Sequence, residues 1–326
     1  MRKQFIRFVC VVLCTLIADT GAAAAPQTIS LVFNSSFEGP QRVGADELRR
    51  KLGELAADRF VVDERGSIAA GSENAIMSAV QNDTIDVTVV TGAVVSAVVP
   101  EFGVFDVPFL FRDAAQAKAV ADGPVGTELA AHFSDKGLVL LAIGKQGFRH
   151  MTNSRRPIRA PEDVKGLKIR VLPNPIYEMT FKALGAEVVP MEFPLVYAAL
   201  KDGRIDGEEN AITSIATSHF EDVQKYLSMT GHFFAPIAFL ASKEMFDQLK
   251  PADQAALLAA AKAGAEATWQ RGDEEDKKML DGLRKGGMEI IDKVDRQPFI
   301  DAVKPLEPEF EKRFGKDLLT QIRATP

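Results

Sequence analysis

Cysteine is nearly absent from this 326-residue chain, and its two copies, Cys10 and Cys14, both lie near the N-terminus. If that stretch is removed on export, no thiol remains. A disulfide framework, a cysteine nucleophile and a thiolate metal site are then all excluded. Histidine is scarce too: His132, His150, His219 and His232 are the full set, and no two stand at metal-binding helical spacing. There is no Gly-x-Gly-x-x-Gly, no phosphate loop and no Gly-x-Ser-x-Gly elbow. Nor is there a basic stripe, since 39 Lys and Arg face 45 Asp and Glu for a formal charge of −6. Nucleic acid is therefore not an expected partner, and no metal, cofactor or catalytic residue is expected. A net-acidic protein also repels anions at long range, so any anionic ligand must be held by specific local cations.

What is present begins with a leader. Arg2, Lys3 and Arg7 precede an apolar run from Phe8 to Ile17, and small residues follow from Gly21 to Ala25. This is the layout of a cleavable secretory signal, and its run is too short for the ~20 residues a spanning helix needs. Pro26 disfavours a cut just before it, so cleavage is expected after Ala24, giving a signal peptide over 1–24 and a periplasmic mature chain.

The mature chain alternates short apolar runs with amphipathic stretches. Strands are expected at 29–33, 60–62, 85–90, 138–143, 167–171 and 234–240, and helices where Leu48, Leu52 and Leu55, or Ile76 and Val80, recur. That pattern predicts an α/β protein with helices on both faces of buried sheets. After Pro251 an Ala-rich stretch leads into acid-first pairs four apart, Asp273 with Lys277 and Glu274 with Lys278, which predicts a long solvated helix. No flexible linker appears, so two lobes would be joined by ordered strands and helices. The acidic run Asp206, Glu208, Glu209 lacks calcium-loop spacing and is expected to form a turn with one structural member.

The informative segment reads GFRHMTN at 147–153, APEDVKGLKIRV at 160–171, ALGAEVVPM at 183–191 and VYAALKDGRIDGEEN at 196–210. In this order the blocks resemble the substrate-binding subunit of tripartite ATP-independent periplasmic (TRAP) transporters. The likeness runs outward through Ile85-Asp86-Val87 and VPFLF at 107–111. It implies a two-lobed periplasmic solute-binding fold with a ligand cleft between the lobes and a long lobe-spanning helix from about Pro251. Lobe I would hold 25–147 with about 236–275, and lobe II 148–235 with about 276–326.

By strand alternation alone, Arg170 faces opposite to Ile169 and Val171, the side on which an arginine is ordinarily solvated. The resemblance places it in the cleft, where a guanidinium fork matches a carboxylate. Arg149, expected just after a strand end, becomes a second cleft cation, with a structural ion pair as the alternative. The resemblance also brings Asn210, Phe193 and Asn34 to the ligand. Two of them have a plainer reading, Asn210 as a turn residue and Phe193 as core. Asn174 and Thr91 are further candidate polar readers.

Two departures stand out. Ala211 replaces a proline of the family pattern, and Thr91 and Val94 stand where sialic-acid-binding members carry glutamate and arginine, so sialic acid is not an expected ligand. The implied function is capture of a small organic acid, a sugar acid or else a C4-dicarboxylate, for separate TRAP membrane subunits driven by an ion gradient. A ligand-sensing accessory protein and a secreted lyase or hydrolase are the alternatives.

Overall fold

The computed structural model describes residues 25–33, 39–66, 72–271 and 273–326; the expected leader and Asn34 lie outside the described residues. Among the described residues nine strands share one mixed sheet: β1 (Gln27–Phe33), β2 (Phe60–Gly66), β3 (Val87–Thr91), β4 (Leu138–Asn153), β5 (Lys168–Val171), β6 (Glu187–Pro190), β7 (Gly207–Ala211), β8 (Tyr226–Ser242) and β9 (Glu289–Ile291). Their order is β2-β1-β3-β8-β4-β7-β5-β6, with β9 on β8. At one end β1 runs parallel to β2 and β3, and at the other β5 runs parallel to β6 and β7. Between them stand β8 and β4, antiparallel to each other and to β3 and β7 respectively.

These two central strands are 17 and 16 residues long. At ~3.3 Å per residue each spans about 50 Å, enough to serve both halves of the molecule. The run expected at 138–143 is thus the first part of β4, and that at 234–240 an interior piece of β8. The segment Gly144-Lys145-Gln146-Gly147 is absorbed within β4 as an irregularity. The β4–β8 ladder shifts register between Leu140 and Ala142, Lys145 and Gly147, and Arg149 and Met151. Gly147 sits at φ 125°, a backbone conformation that favours glycine.

Two hydrophobic clusters lie toward the opposite ends of the sheet. One packs Leu31, Val89 and Phe239 under the helices Pro40–Ala56 and Pro251–Trp269. The other gathers Val196, Leu200, Ile215 and Leu283. A larger cluster runs between them through Phe105, Phe111, Phe234 and Tyr177. Leu48 and Leu52 are buried as expected, whereas Leu55 is exposed because the helix turns it past the edge of that contact. The helices Pro40–Ala56 and Pro251–Trp269 approach closely enough that a Cβ on Gly264 would lie 2.5 Å from the Gly44 carbonyl oxygen. Small residues along 255–267 permit that approach.

The stretch after Pro251 holds two consecutive helices, Pro251–Trp269 and Asp273–Lys285, with residue 272 outside the described residues. The first packs on Pro40–Ala56 and β4, the second on Ile212–Thr217, so the pair reaches both halves. Among the described residues no helix is long and apolar enough to cross a membrane.

Candidate functional site

A cavity of about 490 Å³ opens between the two halves of the sheet. Gln41, Glu73 and Thr91 reach it from the β1–β3 side, Gln146, Arg149 and Asn210 from β4 and β7, and Arg170 and Phe193 from the β5–β6 side. At its edge Asn74 Nδ2 donates to Glu192 Oε1 at 2.6 Å, joining opposite walls.

Arg170 is 1% exposed, against the solvated position that alternation suggested. β5 is covered on both faces, so the side of the strand opposite Ile169 looks into the cavity rather than into bulk water. Its Nε donates to the Met191 carbonyl at 2.8 Å and its guanidinium carbon lies 5.8 Å from the Phe193 ring centre. Nη1 and Nη2 are buried and have no hydrogen-bond partner among the described residues. Burial pushes the Arg170 pKa down to about 10. A cation kept from water with two donors unused is costly unless an anion takes them. Its remaining fork has the spacing of a carboxylate.

Arg149 is also buried but committed. Nε donates to Glu209 Oε2 at 2.6 Å, and Nη2 donates to Glu209 Oε1 at 2.9 Å and to the Glu209 carbonyl at 2.7 Å. Burial works against both charges, yet each holds the other: Arg149 titrates above its usual value and Glu209 below its own. His232 Nε2 lies 3.2 Å from Glu209 Oε2 on the other side. Arg149 thus lines the cavity within a structural ion pair, and it lies inside β4 rather than after a strand end.

The acidic run needs correction as well, since Glu208 and Glu209 lie within β7 and both are fully buried. Asp206, just before it, accepts from the Lys168 amide at 2.9 Å and from Arg155 Nε at 2.7 Å. All three are structural, because strand alternation sends the two glutamates to opposite faces and each face is covered. Burial, with Glu209 adjacent, pushes Glu208 up to about 7. Asn210 lines the cavity while its Nδ2 donates to Glu208 Oε2 at 3.1 Å.

Thr91, at the end of β3, lines the cavity and anchors a residue the sequence had not singled out. Its amide and hydroxyl both donate to Glu73 Oε1, at 2.8 and 3.1 Å. Glu73 opens the helix Glu73–Gln81 behind the cap Ser72, and burial pushes its carboxyl up. A glutamate in a first helical turn is ordinary dipole chemistry, so no local signal separates it from a surface cap. Gln146 also went unnoticed. Its Nε2 donates to Ser214 Oγ at 3.0 Å, and its buried Oε1 has no partner among the described residues.

Asn174 does not belong to the cavity. It caps the helix Pro175–Ala183, its Oδ1 accepting from the Ile176 amide at 2.8 Å. Its Nδ2 donates to the Ala93 carbonyl, Ser96 Oγ and Asp106 Oδ2 at 2.9–3.0 Å. With Pro175 next in sequence, capping takes the side chain inward. Val94 does line the cavity, as an apolar wall beside Thr91.

Residues 40–313 match the DctP family, described as bacterial extracellular solute-binding protein, family 7. A solute-binding protein of Verminephrobacter eiseniae is 41% identical over 93% of this chain and 90% of its own length. The 2,3-diketo-L-gulonate-binding periplasmic protein of Escherichia coli is 34% identical over 88% of each. The crystal structure of a TRAP periplasmic solute-binding protein from Polaromonas bound to D-erythronate superposes with a TM-score of 0.89 at 34% identity, covering 92% of this chain and 99% of that one. A two-lobed α/β frame, a cavity at the junction and an arginine fork inside it are the parts a binding protein requires, and the chain belongs to the family 7 bacterial extracellular solute-binding proteins, the TRAP type.

Proposed function

We propose that this binding protein captures a small sugar acid in the periplasm and hands it to separate TRAP membrane subunits. The observation that carries the reading is the buried Arg170 fork, whose Nη1 and Nη2 have no partner among the described residues. A relative that binds 2,3-diketo-L-gulonate and a structural neighbour holding D-erythronate share the matching chemistry, one carboxylate on a hydroxylated chain. No covalent step is involved. A carboxylate meets Arg170 in an open cleft, the lobes close, and contacts available only when shut shift the population.

The lobes divide near 147 and near 235. In support, Gly147 pairs with Ala235 and Lys145 with Pro236, at the point where β4 changes register. The leader 1–24 directs export and is cut after Ala24. A thermal-unfolding screen of the mature protein against organic acids tests the reading. At 100 times Kd a ligand adds about 2.7 kcal/mol of stability, a shift of several degrees. If no hydroxylated monocarboxylate raises Tm, the reading is lost.

A further inference from the structure

Among the described residues three arginines line the cavity: Arg42, Arg149 and Arg170. Arg149 is neutralised by its fork to Glu209, and Arg42 pairs with Glu64. Only Arg170 brings a positive charge that no carboxylate matches within hydrogen-bond distance among the described residues. The same cavity is lined by two acids, Glu192, which accepts from Asn74 Nδ2 at its edge, and Glu73. On the Glu73 carboxylate Thr91 uses two of the roughly four lone-pair positions and Gln41 bonds it as well, which pins it at the end of β3 and leaves about one position open. Gln146 adds a second acceptor, its buried and unpartnered Oε1. The wall facing the ligand therefore offers one cation together with acceptors that require donors.

We infer that Glu73 and Gln146 make the site selective for a polyhydroxylated acid with a single carboxylate, accepting hydroxyl protons from its chain while Glu73 repels a second carboxylate. A hydroxyl donates to both groups and satisfies them. A terminal carboxylate donates to neither and would be desolvated beside Glu73 with no second unmatched cation lining the cavity among the described residues. Burial raises the Glu73 pKa, while the bonds from Thr91 and Gln41 and the Arg149 charge oppose that rise; repulsion of a second carboxylate belongs to the ionised form, and an acceptor oxygen remains in either form. This inference rests on the sugar-acid reading and refines it.

The test compares matched pairs by calorimetry on the full mature chain: D-galactonate with galactarate, and D-erythronate with meso-tartrate. Each pair keeps the carbon count and exchanges one terminal hydroxymethyl for a carboxylate. Wild type is expected to bind at least one monoacid and to bind its diacid partner at least about tenfold more weakly. Glu73→Gln keeps size and removes charge; it should weaken the monoacid by about tenfold and narrow the gap to the diacid. Gln146→Leu should weaken the monoacid by a similar factor and leave that gap unchanged. Failure of wild type to bind any of the four acids overturns the sugar-acid reading, and this inference with it. Monoacid binding with equal or tighter diacid binding overturns the selectivity alone. An unchanged gap in a folded Glu73→Gln protein removes Glu73 from the role, and unchanged monoacid affinity in Gln146→Leu removes Gln146. The wild-type comparison stands even if a variant does not fold.

Discussion

Arg149 and Glu209 meet as a two-bond fork at the cavity wall, Nε to Oε2 at 2.6 Å and Nη2 to Oε1 at 2.9 Å, with both side chains sealed from solvent. They lie on neighbouring antiparallel strands, where Arg149 pairs in register with Ala211 and Met151 with Glu209. The consequence is a division of labour between two arginines that look alike in sequence. Arg149 is held by Glu209, whereas Nη1 and Nη2 of Arg170 have no hydrogen-bond partner among the described residues.

That division predicts opposite effects on stability. Arg149→Ala leaves Glu209 buried without its partner and should cost about 3–5 kcal/mol. Arg170→Ala relieves a buried charge and loses one bond to the Met191 carbonyl, so the unliganded protein should change by less than about 1 kcal/mol, or gain. Urea unfolding of the two variants without ligand checks this. Equal destabilisation by both would refute it.

Ligand affinity should respond to Arg170 in the manner of a desolvated fork. Arg170→Ala is expected to lose about 2–5 kcal/mol of binding, roughly thirtyfold to several thousandfold. Arg170→Lys keeps charge but not planarity and should also bind more weakly. Calorimetry with whichever acid the thermal screen identifies gives the numbers. Near-normal binding by folded Arg170→Ala would make this arginine structural.

The bond from Asn74 Nδ2 to Glu192 Oε1 closes the cavity edge between residues 118 positions apart. Asn74→Ala removes a contact available only when the walls meet, so it should weaken ligand binding by about tenfold or less, mainly through faster release. Stopped-flow dissociation is the measurement. An unchanged release rate would show that this bond contributes nothing to closure.

Asp106 predicts a pH effect outside the cavity. Burial pushes it from 3.8 to about 7, with Ser96 and Asn174 donating to Oδ2 and Oδ1 left unpartnered among the described residues. A carboxyl whose folded value is raised contributes most stability below its unfolded value, and that contribution falls as pH rises toward the folded one. Between about pH 4 and 7, Asp106→Asn should therefore gain on wild type, by roughly 2–4 kcal/mol at the upper end. Glu208, also near 7, leaves part of the wild-type slope in the variant. Unfolding midpoints across that range would rule the idea out if the two curves ran parallel.

The sequence by itself determined the family and the α/β class. Local chemistry suffices for these: apolar periodicity marks strands and helices, and the blocks from 147 to 210 stand in a recognisable order. It stopped short where a side chain's partner lies far along the chain. Arg149 and Glu209 are 60 residues apart, Asn174 and Asp106 are 68 apart, and Thr91 and Glu73 are 18 apart across a helix and a strand. Spacing could read Asn174 as a ligand contact or as a cap, and Glu73 as a cap or as a cavity wall. Which arginine stays free was decided only by strand register in the folded sheet, because the pairing of β4 with β7 brings a carboxylate within reach of one guanidinium while β5 leaves the other facing the cavity.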